Sequence, residues 1–234
     1  GATAYAYMDT NPEVNTGAKK SWYFFDNEVV CLGAGIQSTS TYPVHTTVNQ
    51  CFLKDGILVD KGGKEETLAN GSYTLQAPQW VLHDKIGYFF PQKEEVFLTA
   101  QTQSGRWYDI NTSKSKKEEK EGCLHIGYQS RCGSERRLIR LHCSAGKNFR
   151  TRDGSLSERE CHRNSVEQCK STGCSEYQTE CLDGNFFEAG TFKHKELSVT
   201  VDKPCILMVK DINAKSANLH IATRDKPSRP FKWN

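Results

Sequence analysis

Apolar residues along this chain recur mainly with a period of two, in short runs bounded by turn formers. Leu197-Ser198-Val199-Thr200-Val201 alternates strictly, the mark of a half-buried strand, and Val96, Leu98 and Ala100 repeat the pattern more loosely. In the last apolar run, Leu219 and Ile221 are expected to face inward and His220 outward. Asp55-Gly56, Gly62-Gly63, Asn70-Gly71 and Asp183-Gly184 punctuate the runs as turns. No segment sustains a 3.6-residue period. The pattern predicts an all-β chain folded as an antiparallel β-sandwich.

Lys19–Ile36 predicts a hairpin in particular. An aromatic run, Ser21–Phe25, is joined to a β-branched run, Glu28–Leu32, by Asp26-Asn27, two residues that tolerate the dihedrals of a tight loop. Trp22 and Phe24 fall on one face, Tyr23 and Phe25 on the other, so the hairpin is expected to be buried between two layers. Gly33 and Gly35 are expected to break or kink its second strand.

Asn111–Gly122 differs: it is polar and charged without an apolar anchor, and reads as a linker or exposed loop. After it come seven of the ten cysteines, Cys123, Cys132, Cys143, Cys161, Cys169, Cys174 and Cys181; the others are Cys31, Cys51 and Cys205. Few large apolar residues lie among the seven, so disulfides are expected to substitute for a core there. Seven is odd, so full pairing requires a bridge from this stretch to Cys31, Cys51 or Cys205. Cys31 and Cys51, on neighbouring strands of a meander, could pair with each other, leaving Cys205 to reach the cluster.

Ten cysteines point to an oxidising, extracellular setting, as do the N-glycosylation sequons at Asn70 and Asn111. Together they favour a secreted eukaryotic protein over a bacterial one. The 234 residues can hold one large or two small domains. A net charge of +3 is too small to imply nucleic acid, and no apolar stretch approaches the roughly 20 residues of a membrane helix. Gly1–Asp9 has neither the basic nor the apolar part of a signal peptide.

The hairpin run Lys19–Ile36 also resembles the β-sandwich region of polysaccharide lyase family 8, which includes the hyaluronate, chondroitin AC and xanthan lyases. The likeness continues through Thr46–Gln50, Ile86–Pro91 and Gly105–Asn111, and returns at Asn185–Gly190 and Asp202–Val209. It implies three segments: 1–112 as the first part of the sandwich, 113–184 as linker and cysteine-rich insertion, and 185–234 as the closing strands. In that family the catalytic Asn, His, Tyr and Arg belong to an α/α-toroid that precedes the β-region, with the sugar cleft between the two. The chain is expected to begin inside the β-region, so the resemblance transfers no catalytic residue to it. Leu141–Gly146 and Gly190–Lys193 resemble, more faintly, a galactose- or rhamnose-binding lectin domain.

The candidate glycan site is a basic cluster: Arg131, Arg136, Arg137, Arg140, Lys147, Arg150 and Arg152, with Glu135 its only acid. Arginine forks match sulfate and carboxylate groups. The ordinary alternative is a solvated face balanced by Glu158, Glu160 and Glu167. Among the tryptophans, Trp22 and Trp107 lie in strand motifs and are expected in the core. Trp80 follows Pro78 in a loop-like stretch and is the better platform for a sugar ring. Asp26 and Glu28 read as a turn Asp with an exposed Glu. No HExxH, C-x-x-C, nucleophile elbow or phosphate loop occurs, so no metal and no cofactor are expected.

The resulting reading is a secreted carbohydrate-binding module that recognises acidic polysaccharide, glycosaminoglycans included, without catalytic residues of its own. Two alternatives stay open. The chain is a fragment or processed part of a lyase acting by β-elimination once joined to an upstream toroid, or it is a disulfide-hardened, self-associating subunit of an extracellular matrix, coat or fibre.

Overall fold

The computed structural model describes residues 1–25, 28–90, 94–130, 133–145, 166–167, 171–176, 181–194, 197–211 and 216–223; between 129 and 180 the description is of backbone pairing. In chain order the strands are β1 (Ala2–Met8), β2 (Thr16–Phe24), β3 (Glu28–Ser38), β4 (Val44–Phe52), β5 (Ile57–Asp60), β6 (Glu65–Leu68), β7 (Gly71–Gln76), β8 (Trp80–His83), β9 (Ile86–Phe89) and β10 (Glu95–Arg106). The short helix α1 (Trp107–Ile110) precedes β11 (Glu118–Ser130) and β12 (Gly133–Ala145). The remainder comprises β13 (Val166–Glu167), β14 (Ser171–Glu176), β15 (Cys181–Phe186), β16 (Gly190–His194), β17 (Leu197–Val201), β18 (Cys205–Lys210) and β19 (Asn218–Thr223).

These strands form an eight-stranded sheet in the order β1-β2-β3-β12-β9-β8-β5-β6, a four-stranded sheet β4-β11-β10-β7, a five-stranded sheet β13-β14-β15-β18-β19, and the pair β16-β17. Every pairing is antiparallel. The main core lies between the first two sheets, where Val59 and Val81 meet Val96, Leu98, Leu124 and Ile126, all buried. Full burial of each such side chain stabilises by roughly 1.5–3 kcal/mol. Against the β1 end of the eight-stranded sheet's other face sits the five-stranded sheet, with its own core of Leu182, Phe186, Phe192, Leu207 and Val209. Asn185 Nδ2 donates to the Thr3 carbonyl at 3.4 Å, and Lys19 Nζ reaches Glu188 Oε1 at 3.2 Å, across this junction.

The predicted hairpin is β2–β3, closed by Phe25 N–H donating to the Glu28 carbonyl at 2.9 Å. Tyr23 is buried with Val30 and Leu32, but Phe24 is 49% exposed and Trp22 only half-buried, because the other face of β2 extends past the edge of the four-stranded sheet. Glu28, expected exposed, is buried. Gly33 and Gly35 do not end β3. Gly35 takes a φ of 62°, and the register with β2 slips beside it, so the strand bulges and continues.

The sandwich also claims residues expected in the linker and insertion. Glu118–Gly122 pairs with β10, the rest of β11 pairs with β4 as well, and β12 lies between β3 and β9 in the eight-stranded sheet. Leu219 and Ile221 are 54% and 58% exposed, since β19 is an edge strand and no described layer covers that face. Val199 and Val201 do pack inward as the alternation predicted.

Candidate functional site

The sequence Ala2-Thr3-Ala4-Tyr5-Ala6-Tyr7 sets the site. Its alanines face the five-stranded sheet, where methyl groups permit close approach, and its alternate residues Thr3, Tyr5 and Tyr7 are exposed on the opposite face. Cross-strand register places Tyr5 opposite Lys20, Tyr7 opposite Ala18 and Thr3 opposite Trp22. That face runs on from the main core but projects beyond β4, the edge strand of the four-stranded sheet. A groove results along the β4 edge. One end, of about 250 Å³, is lined by Tyr5, Tyr7, Ala18, Lys20, His45 and Thr46. The adjoining depression, of about 80 Å³, is lined by Trp22, Cys31, Gly33, Thr47, Val48 and Tyr128, with Lys20 and Thr46 common to both.

The groove's charge is positive at its centre. Burial pushes the Lys20 ammonium pKa down, and no carboxylate among the described residues pairs with it. Its neighbour Lys19, on the other face, is held by Glu188 and stands 5.3 Å from the Phe187 ring centre. Tyr5 and Tyr7 have ring centres 6.1 Å apart, tilted by 32°. Tyr7 OH donates to Asp9 Oδ2 at 2.9 Å, which raises the phenol's pKa and fixes its ring at the groove mouth. Aromatic faces beside an unpaired cation suit a pyranose that carries an anion.

Of the residues singled out from sequence, Trp80 is not available to a ligand. It is 4% exposed in β8 and packs against Phe89, Leu58 and Leu82. Trp107, expected in the core, is 61% exposed on α1, at the tip of an arm formed where β10 and β11 outrun their other partners. Arg136, Arg137 and Arg140 lie on β12, with Arg137 opposite Ile36 and Arg140 opposite Leu32. Arg131, Lys147, Arg150 and Arg152 lie outside the described residues, as do Asp26, Cys132, Cys161 and Cys169. Asn70 and Asn111 are exposed, in the turn before β7 and after α1; Asn111 Oδ1 accepts from Ser113 N–H at 3.0 Å. Among the described residues no cluster of His, Cys, Asp and Glu is arranged to hold a metal.

Cys31, Cys51, Cys123, Cys181 and Cys205 are thiols. The expected bridge from the cluster to Cys31, Cys51 or Cys205 is therefore absent. Cys31 and Cys51 are not neighbours in a meander, because β3 and β4 belong to different sheets. Cys51 is opposite buried Leu124 and packs inward, whereas Cys123 is opposite exposed Phe52 and points outward. Cys181 and Cys205 sit at opposite ends of paired β15 and β18, too far apart to bridge.

Residues 1–131 match the super-sandwich domain of polysaccharide lyase family 8, and residues 177–223 match that family's C-terminal β-sandwich domain. The chain belongs to polysaccharide lyase family 8. It is 31% identical over 219 residues to chondroitinase AC of Pedobacter heparinus, covering 92% of this chain and 30% of that protein. It is 28% identical over 200 residues to a hyaluronate lyase of Thermasporomyces composti, covering 82% of this chain and 25% of that one. A chondroitinase AC lyase solved in oligosaccharide complexes superposes with a TM-score of 0.81 at 29% identity, over 95% of this chain and 32% of the other. A Paenibacillus xanthan lyase, at 19% identity and a TM-score of 0.76, has the same fold. The chain thus spans between about a fifth and a third of the length of these proteins.

Tyr5, Tyr7 and Lys20 escape a reading centred on arginine clusters and tryptophans. Their signal was present as the Ala/Tyr alternation of Ala2–Tyr7, which marks a strand with one small face and one aromatic face.

Proposed function

We propose that this chain is the recognition part of a polysaccharide lyase and that it binds acidic polysaccharide along the β4-edge groove. The observation that carries this reading is Lys20, which has no carboxylate partner among the described residues and lies among Tyr5, Tyr7 and Trp22. Uronate or sulfate would meet the ammonium while pyranose faces rest on the rings. The β-elimination itself needs a base at the sugar C5 as well as stabilisation of the uronate charge, and of these two roles Lys20 serves the second. On this reading the chemistry resides in a further domain of toroid type, and the chain alone binds without cleaving. Polymeric glycosaminoglycan is met outside the cell, so the protein works there. Arg136, Arg137 and Arg140 on β12 are a second source of positive charge for the same polymer.

The test is titration of the full chain with chondroitin sulfate and hyaluronan oligosaccharides, beside Trp22→Ala and Lys20→Met. Wild type binds and each variant weakens, with no growth of unsaturated-uronate absorbance in any sample. Equal affinity in all three proteins removes the groove. Product formation by the chain alone removes the division of labour. If Arg136→Ala/Arg137→Ala/Arg140→Ala instead abolishes retention on a sulfated column, the polymer lies on β12.

A further inference from the structure

The outer face of the four-stranded sheet carries a second aromatic surface, separate from the groove except where both reach His45. Inward residues of β10 and β11 are core (Val96, Leu98, Leu124, Ile126), so Phe97 and His125 point outward. Phe97 lies over Gly127, the residue opposite it on β11, and the absent side chain leaves a dimple that holds the ring flat to the sheet. His45 and His125 flank it, with ring centres 5.3 Å and 5.0 Å from that of Phe97. Thr47 Oγ1 lies 3.1 Å from His125 Nε2 and fixes that imidazole.

We propose that this Phe97 platform is a second binding site for acidic glycan, engaged when His125 is protonated. It rests on the reading of the chain as a binder of acidic polysaccharide and adds a separate surface with its own pH dependence. A pyranose has an apolar face that fits the Phe97 ring, and its carboxylate or sulfate falls within reach of the His125 imidazolium. Charge complementarity selects this occupant. The other titratable groups on the face are Glu95, whose carboxylate accepts from the Gln76 amide at 2.7 Å, and Cys123, Glu121 and Glu119 towards the far end of β11, where Glu119 pairs with Lys117 at 3.1 Å. β4 and β7 bring no carboxylate to it among their described residues. Burial and the nearby His45 both lower the pKa of His125, so that imidazole is uncharged at neutral pH. As pH falls the His125 imidazole charges, while uronate and sulfate remain anionic. One exposed charge-assisted contact of this kind corresponds to a gain of roughly twofold to fivefold in affinity.

The experiment is calorimetric titration of the full chain with a chondroitin sulfate octasaccharide at about pH 5.5 and about pH 7.5, the interval over which free imidazole changes charge. Wild type, His125→Gln, Phe97→Ala and Lys20→Met are compared, with thermal melts to confirm folding and neutral dextran as a control. Wild type should bind at least about twofold tighter at the lower pH, the lower end of the range for one such contact. His125→Gln should lose most of that gain, Phe97→Ala should weaken the low-pH binding, and Lys20→Met should keep the ratio while binding more weakly at both pH values. An unchanged ratio in His125→Gln overturns the proposal even if Phe97→Ala fails to fold. A ratio that collapses in Lys20→Met but survives in His125→Gln assigns the effect to the groove and also overturns it. Absence of the gain with neutral-pH binding intact defeats this site alone. Low-pH binding that needs His125 while Lys20→Met is without effect defeats the groove and leaves this site standing. A change in sedimentation rather than glycan affinity in His125→Gln would mark the face as a contact between protein copies, against the proposal.

Discussion

The ring of Phe97 occupies the space that a side chain at Gly127 would need. A Cβ there would stand 2.9 Å from Phe97 Cε1 and 2.7 Å from the Thr46 carbonyl oxygen, which is backbone and cannot swing aside. The register with β4 slips at this point, between Ile126 and Gly127, so the tight approach belongs to a bulge. Gly127→Ala should therefore destabilise the sandwich by about 1–3 kcal/mol, the range for overpacked sites. Urea unfolding checks this. Phe97→Ala in the same chain should recover only part of the loss, because the Thr46 contact remains.

A buried imidazole ties the two sandwich sheets together. Lys54 N–H donates to His83 Nε2 at 3.0 Å, and His83 Nδ1 lies 3.8 Å from Cys51 Sγ. Burial lowers the His83 pKa below the 6.5 of a free imidazole. The native state thus binds fewer protons than the unfolded chain, so its stability is present above pH 6.5 and is lost as pH falls through the lowered value. Protonation also turns Nε2 into a donor facing the Lys54 N–H. Denaturation midpoints should fall on acidification from neutral pH, and His83→Gln should flatten that slope. A variant with the wild-type slope would exclude His83 as its source.

Trp80 and Trp107 exchange the roles that sequence position suggests for them. Trp80→Ala removes a buried indole and should cost about 3–5 kcal/mol. Trp107→Ala removes an exposed one and should change stability by no more than about 0.5 kcal/mol. Thermal or urea melts of the pair give the comparison directly, and similar losses would contradict the burial of Trp80.

The thiols should be protected rather than oxidised. Burial, with Asp183 beside it, pushes Cys181 up to about 12, so little thiolate is available at neutral pH. Burial likewise raises Cys51 and Cys205. Iodoacetamide should spare Cys181 and Cys205 in the native protein and label Cys31, Cys51, Cys123, Cys181 and Cys205 in urea without reductant. Mapping a disulfide at any of the five would contradict the structure.

The all-β class, the β2–β3 hairpin and the inward set of β10 follow from local pattern, because strand alternation and turn chemistry are written in adjacent residues. Val199 and Val201 were legible in the same way, and the order of family motifs identified the lyase-8 sandwich. What alternation leaves open is which partner covers a given face. Leu219 and Ile221 alternate correctly yet end on an uncovered edge strand. Glu118–Gly122 looks like a linker yet continues β11, because cross-strand hydrogen bonds to β10 are indifferent to polar side chains. The groove has the same origin. Ala2–Tyr7 determines that tyrosines share one face of a strand, and Lys20 and Trp22 share one face of the next. Only the tertiary structure decides that these faces overhang β4 instead of lying under it, since that depends on how far one sheet extends beyond another, a long-range packing outcome that no local pattern encodes.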